Sequence, residues 1–178
     1  GDLGPLVAKA IRERIKETGA MLMTPAAGIR ATVVGASQYT VQVSGSTIFI
    51  SPIETVPLRN VPVMTPEFDL SVTDLDPSVI ADAARAGLTR LDLNDADSPV
   101  AVGFKWGGSA TYWRLDAFTR GMATAMKALL DKGNPLVLVS DGDIGGLLGL
   151  HLREELQLPN PVISIDGIEL REFDYIDI

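Results

Sequence analysis

Cysteine is absent from this chain of 178 residues, and histidine occurs once, at His151. Without cysteine the chain can form no disulfide bond and can supply no thiolate as a nucleophile or metal ligand. A single histidine excludes a histidine-rich metal site. No cluster of carboxylates has the spacing of a metal site either, so we predict that no residue of this chain binds a metal directly.

Basic residues are also scarce. Fifteen lysines and arginines stand against 23 aspartates and glutamates, so the formal net charge is −8. This balance argues against nucleic acid and against an anionic membrane as partners, since both are bound through basic patches. The apolar runs are too short for a membrane span, and no basic segment followed by an apolar run resembles a signal peptide. A cytoplasmic globular domain with one sizeable core is the prediction from composition.

The first 19 residues have the pattern of an amphipathic helix. Leu3, Leu6 and Ile11 belong to a series of apolar positions with helical spacing, and charged residues fill the opposite face. Asp2 can cap the start of this helix, and Gly19 can end it.

The next segment, residues 31–50, is rich in β-branched residues and predicts a hairpin that runs into a third strand. Gly35 at the hairpin tip permits a tight backbone, and Ser37 and Thr40 add hydroxyl groups. Such a tip can wrap an oxyanion such as a phosphate, or it can be a plain hairpin turn. The three predicted strands are Ala31–Val34, Tyr39–Val43 and Ser46–Ile50.

Downstream, the pattern alternates between helices and strands. Five prolines in residues 51–77 exclude a helix there, although Val61–Met64 can form a strand at a sheet edge. Helices are predicted from Asp76-Pro77 to Gly87, over residues 110–131, and after residue 143. The predicted strands are Pro99–Phe104, Pro135–Val139, Val162–Ile165, Ile168–Leu170 and Tyr175–Ile178.

This order predicts an α/β fold with a mixed sheet and helices on both faces. It is also the order of the ribonuclease-H-like fold, which forms each half of the actin-like ATPases and sugar kinases.

A second glycine segment, Gly142–Gly146, lies between a buried strand and a helix N-terminus. Ligands of α/β proteins bind where strands end, and a helix N-terminus favours negative charge. Gly145 and Gly146 either admit a ligand to the backbone or let the helix pack on the sheet. Asp141 and Asp143 are expected to serve a turn and a helix N-cap rather than a metal ion. Together with the hairpin tip, this segment predicts nucleotide binding.

The residues from Ala31 to Ile48 resemble the signature of the ethanolamine ammonia-lyase reactivating factors, the EutA family. The likeness continues in Pro57–Val63, in Pro135–Leu150 and in Ile163–Asp166, and it extends from about Gly28 to the end. The chain resembles only the C-terminal portion of such a factor.

The resemblance implies one lobe, residues 1–178, of a larger actin-like protein that binds ATP with magnesium. It implies a chaperone-like activity, in which the factor drives damaged cobalamin out of ethanolamine ammonia-lyase, and a location in the cytoplasm with a bacterial microcompartment as a further expectation. The residues that match the second phosphate loop of the family are Gly35, Ala36, Ser37 and Thr40. The glycines expected to contact adenosine are Gly142, Gly145 and Gly146.

One position departs from the actin-like pattern. Actin-like ATPases usually carry an acidic residue just before the glycine of the second phosphate loop, and Val34 stands there instead. The isolated chain is therefore expected to fold but not to hydrolyse ATP. No catalytic residue is identified, and the alternatives are a non-catalytic actin-like interaction module or a lobe of a sugar-kinase-like enzyme, of which Val34 favours the module.

The remaining candidates have structural explanations. His151 lies on the apolar face of its helix and is expected to be a packed core residue. Trp106, Tyr112 and Trp113 form either an exposed partner surface or part of the core.

Overall fold

The computed structural model describes residues 4–19, 21, 40–42 and 48–178, with only the backbone described at 40–42. The chain divides into two units, Gly1–Gly35 and Ala36–Ile178, and each is described by itself. The prediction of a single domain over residues 1–178 stays a prediction.

The first unit contains helix α1, Gly4–Thr18. It ends where the sequence predicts, because Gly19 adopts a φ of +69° and donates its N–H to the carbonyl of Lys16. Its apolar residues Leu6, Val7 and Ile11 are exposed.

The second unit contains a seven-stranded mixed sheet in the order β1-β7-β3-β4-β5-β6-β2. The four central strands, β3 to β6, are parallel to one another, whereas β7 is antiparallel to β3 and β2 is antiparallel to β6. The strands are β1 Thr40–Gln42, β2 Ile48–Ser51, β3 Val61–Met64, β4 Ala101–Phe104, β5 Leu136–Ser140, β6 Val162–Ile165 and β7 Tyr175–Asp177.

Helices connect the central strands. The helices are α2 Pro77–Arg90, α3 Tyr112–Ala125, α4 Lys127–Asp131 and α5 Gly145–Leu150, and α5 continues into a π-helical turn, His151–Glu155. Each crossover joins neighbouring parallel strands in the same direction across the sheet. Because such crossovers are right-handed, all of these helices lie on one face. Among the described residues, no helix is both long enough and apolar enough to cross a membrane.

Two apolar clusters confirm this arrangement. One cluster combines helical residues such as Ile80 and Phe118 with one side of the strands, including Val102 and Leu138. The other contains the alternate strand residues, and its described members include no helical residue. The mixed sheet is thus confirmed, but the prediction of helices on both faces is wrong for the described part of the second unit. The residues of the second cluster include Val61, Val63, Ala101, Val137, Val139, Ile163, Ile165 and Ile176.

The second face is covered by curling of the sheet itself. Strands β1 and β2 form its two edges, yet only residues 43–47 separate them in sequence. Six chain steps reach at most about 21 Å, whereas the edges of a flat seven-stranded sheet lie about 29 Å apart. The two edges must therefore approach each other.

This topology corrects the predicted start of the sheet. Strands β1 and β2 both run antiparallel to the central strands, so they point the same way and cannot be consecutive strands of a meander. The ribonuclease-H-like fold, which the meander prediction supported, stays a prediction. The first predicted strand, Ala31–Val34, lies outside the described residues.

Other boundaries differ for local reasons. Gly87 does not end α2, which continues to Arg90; a Cβ atom on Gly87 would lie 2.6 Å from the sulfur of Met64, so a glycine fits the packing there. The predicted helix over 110–131 is interrupted at Met126, and residues 168–170 form no strand. Strand β3 lies inside the sheet rather than at an edge. Pro62 is tolerated there because the pairing of β3 with β4 begins one residue later, at Val63.

Candidate functional site at the carboxyl ends of the strands

The carboxyl ends of the four parallel strands meet at one edge of the sheet. Thr65, Lys105, Asp141 and Asp166 are the residues that directly follow β3, β4, β5 and β6. In α/β proteins, ligands bind at this edge because loops there can approach them from several strands. Two of the four residues are acidic and one is basic, so the edge is polar although the strands are buried.

A cleft of about 290 Å³ opens at this edge between the ends of β3 and β4. Its apolar wall includes Phe68, Phe104 and Leu170, and its polar wall includes Lys105 and Glu169. The ammonium nitrogen of Lys105 lies 2.7 Å from the Oε1 atom of Glu169. This hydrogen bond raises the pKa of Lys105 and lowers the pKa of Glu169, so both groups stay charged at neutral pH.

Polar contacts tie the loops of this edge together. The Oδ1 atom of Asp141 accepts the backbone N–H of Trp106 at 3.0 Å and thereby joins the loop after β5 to the loop after β4. The buried guanidinium of Arg114 donates to the carbonyls of Leu70 and Gly107 and lies over the Trp106 ring, 5.2 Å from its centre. These contacts hold the loops after β3, β4 and β5 in fixed positions.

The N-terminus of α5 already has an anionic partner. The buried carboxylate of Asp166 accepts the backbone N–H of Ile144 at 2.8 Å and also that of Gly145. Asp166 therefore satisfies two amides that a bound phosphate would otherwise use. The predicted N-cap role of Asp143 is wrong, because Ile144 occupies the N-cap position and the side chain that accepts the first N–H groups is that of Asp166.

The three predicted glycines of this segment differ in their surroundings. A Cβ atom on Gly145 would lie 2.7 Å from the Oδ1 atom of Asp166, so Gly145 is needed for packing. A Cβ atom on Gly146 would meet nothing within 4 Å, and one on Gly142 would make only ordinary contacts. Gly142 and Gly146 thus leave room for an approaching group, and the role of all three glycines in cofactor binding stays a prediction.

The other predicted segment is described in part. Gly35, Ala36 and Ser37 lie outside the described residues, and Thr40 begins β1, where it pairs with Tyr175 of β7. Because β1 runs antiparallel to β3, the amino end of β1 lies at the same edge of the sheet as Asp141. The topology thus directs the start of β1 and the Gly142–Gly146 segment to the same edge of the sheet.

The other sequence candidates fall into buried and exposed groups. His151 is buried, as expected, and its Nε2 atom lies 3.3 Å from the Oδ1 atom of Asp116. Trp106 is half-buried against Phe118, whereas Tyr112 and Trp113 are exposed. Within the part of the chain that the structure describes, no group of three or more His, Asp or Glu side chains is placed to hold a metal ion.

The sequence analysis did not single out Lys105, Arg114 or Asp166. Lys105 and Asp166 each follow a buried strand directly, which is a position that could have identified them as residues of this edge. Arg114 carries no such signal, because its burial depends on the packing of α3 against two loops.

The fold is that of an α/β protein with a mixed sheet, and its candidate site lies at the carboxyl ends of the parallel strands. Within that class, the whole chain, residues 1–178, matches the model of the family described as ethanolamine utilisation protein EutA, and the chain belongs to this family. It is 35% identical over 178 residues to a Salmonella typhimurium protein named ethanolamine ammonia-lyase reactivase EutA, and 32% identical over 183 residues to the Escherichia coli protein of the same name. In both comparisons 99% of this chain is covered.

The chain spans about a third of the length of these relatives, since 36% of each is covered. No solved structure matches the chain significantly.

Proposed function

We propose that this chain is a segment of an ethanolamine ammonia-lyase reactivase, which uses ATP to replace damaged cobalamin in the lyase with intact coenzyme. The observation that carries the proposal is the continuous similarity of 99% of the chain to two proteins named as such reactivases. A segment of about a third of their length is long enough to form one folding unit of the larger protein.

We further propose how the carboxyl edge of the sheet contributes to nucleotide binding. Asp166 occupies the amides at the start of α5, and a second anion there would be repelled by its carboxylate. Phosphates are therefore assigned to the segment that contains Gly35, Ser37 and Thr40, by resemblance to the family. Gly142 and Gly146 would face the uncharged ribose or base, because a Cβ atom at either position would meet little.

The proposed reactivase changes its shape as an actin-like clamp does. In such a clamp the nucleotide lies between two lobes, and its exchange or hydrolysis changes the angle between them. The tied loops around Arg114 and Asp141 support this role, because a lobe that transmits motion must move as one body. Val34 supplies no carboxylate for magnesium or for water, so an acidic group for hydrolysis would come from outside this chain.

The reactivation experiment uses the longer protein that contains this chain. Ethanolamine ammonia-lyase is first inactivated with bound hydroxocobalamin, and the reactivase, magnesium, ATP and fresh adenosylcobalamin are then added. We expect ammonia production to resume with ATP and to stay at the background level without ATP. Ammonia production at background level with every component present would contradict the proposal.

A second candidate function is a non-catalytic interaction module, and it is favoured by Val34 together with the occupied N-terminus of α5. Calorimetry separates the two functions. A module would bind the lyase firmly and release no heat with ATP, whereas an ATP-driven reactivase would bind both.

Within the proposed reactivase, we expect the substitution Gly35→Val to weaken ATP binding by at least tenfold and to change the melting temperature little. A β-branched residue resists positive φ and would crowd an approaching phosphate. Isothermal titration of the longer protein with magnesium and ATP provides the measurement.

The matched control is His151→Leu, which changes a buried residue of the packed helix face and is expected to leave ATP affinity unchanged. If Gly35→Val lowered the melting temperature markedly as well as the ATP affinity, Gly35 would be a structural residue.

A further inference from the structure

Four apolar side chains form an exposed surface beside the buried His151, and we call them the aromatic patch: Tyr112, Trp113, Leu147 and Leu150. Trp113 is 77% exposed, and the other three are each about half exposed. Tyr112 lies at the start of α3, with its ring centre 5.2 Å from that of Trp113 and 5.2 Å from that of His151. Leu147 lies one helical turn before both Leu150 and His151, and residues at this spacing are neighbours on a helix surface, so the two leucines lie beside the histidine that Tyr112 contacts.

Local contacts hold the patch in place. The hydroxyl of Tyr112 donates to the Oε2 atom of Glu155 at 3.1 Å and thereby joins α3 to the π-helical turn. His151, beneath the patch, contacts Asp116 of α3. Two exposed aromatic rings on a fixed base resemble the residues that dominate protein interfaces, because such rings bury large areas with little loss of side-chain entropy.

The charges around the patch are acidic. Glu154 and Glu155 are exposed on the π-helical turn. Asp116 is paired with Arg120 at 2.8 Å, so these two charges offset each other. Arg153 donates to the carbonyls of Leu158 and Asn160, at 2.8 Å and 3.2 Å. A neutral carbonyl does not cancel the charge of Arg153, so the arginine offsets one of the two glutamates and the π-helical turn keeps a net negative charge at the rim of the patch.

We propose that the aromatic patch is a docking surface for a protein that presents an apolar pocket edged by lysine or arginine. The negative rim disfavours an anionic membrane and nucleic acid as occupants. It also disfavours a second copy of this chain, which would bring the same negative rim to the contact. A basic-edged protein surface satisfies both the apolar centre and the charged rim.

The proposal rests on the proposed function for the identity of the partner, since a reactivase must grip ethanolamine ammonia-lyase. The lyase is accordingly the probe. The longer protein that contains this chain is labelled with 5-fluorotryptophan, and the substitutions Trp106→Phe and Trp113→Phe assign the fluorine resonances of the two tryptophans of the chain. Before the lyase is added, we expect the Trp113 resonance to show the full solvent isotope shift between water and deuterium oxide.

On addition of unlabelled lyase, we expect the Trp113 resonance to move and to lose its isotope shift, while the Trp106 resonance changes little. Trp113→Ala should weaken the association at least tenfold, and the charge reversal Glu154→Lys should weaken it at least threefold at low salt. The matched control is Phe173→Ala, because Phe173 is an exposed aromatic residue of the loop before β7. It should change the affinity by less than twofold.

Several outcomes would overturn the docking surface. These are an isotope shift of Trp113 already lost in the longer protein before the lyase is added, equal affinities of the Trp113→Ala and wild-type proteins, and no association of the wild-type protein with the lyase. The reactivation experiment requires no knowledge of the surface, so it evaluates the proposed function separately. Reactivation together with an unaffected Trp113→Ala variant would reject the patch and retain the function.

Discussion

Asp166→Ala should lower the free energy of unfolding of the second unit by about 2–6 kcal/mol, because two backbone N–H groups lose their acceptor in a buried place and each such loss costs about 1–3 kcal/mol. The Oδ1 atom of Asp166 accepts the N–H groups of Ile144 and Gly145, and the side chain is almost fully buried. Urea unfolding followed by circular dichroism measures the loss.

The variant Asp166→Asn separates the hydrogen bonds from the charge. Its side-chain oxygen can still accept both N–H groups, so we expect a smaller loss than for alanine. Gly145→Ala provides a second test, because its Cβ atom would lie 2.7 Å from the same carboxylate oxygen and should also destabilise the unit. If Asp166→Ala were as stable as the wild-type protein, the carboxylate would not be the cap of α5.

Asp166 also shows why the candidate site could be predicted only in part. The sequence correctly indicates a glycine segment between a buried strand and a helix, and it indicates that a helix N-terminus favours negative charge. It does not indicate that the negative charge comes from the chain itself, because residue 166 lies 20 or more positions away. The pairing of β5 with β6 in the sheet brings Asp166 next to the N–H groups of Ile144 and Gly145, and the sequence alone does not give this pairing.

The fold was predictable to a similar degree. The continuous apolar run of β5 and the cap-then-proline signal at Asp76 correspond to elements of the structure, and the N–H of Ser78 does bind the carboxylate of Asp76 at 2.8 Å. The pairing of β1 and β2 was not predictable, because short spacing favours a hairpin. Here those strands instead pair with β7 and β6, which come at least 110 residues later.

A second large effect is expected at the contact between α2 and α3. Gly121→Ala should lower the free energy of unfolding by about 1–3 kcal/mol, the usual cost of overpacking. A Cβ atom on Gly121 would lie 2.6 Å from the Cβ atom of Ile80 and 2.7 Å from the carbonyl oxygen of Pro77. The obstacle is backbone and a branched side chain rather than the end of a flexible one, so the two helices must move apart.

The opposing effect is the helix propensity of alanine, which is more favourable than that of glycine by about 0.8–1.0 kcal/mol. Gly146→Ala isolates this term, because the same change is made in a helix where nothing lies within 4 Å of the new Cβ atom. We expect Gly146→Ala to be neutral or slightly stabilising, and the difference between the two variants measures the helix contact alone. Urea unfolding of both proteins gives that difference, and equal stabilities would show that α2 and α3 can separate at no cost, contrary to the close packing of Gly121 on Ile80.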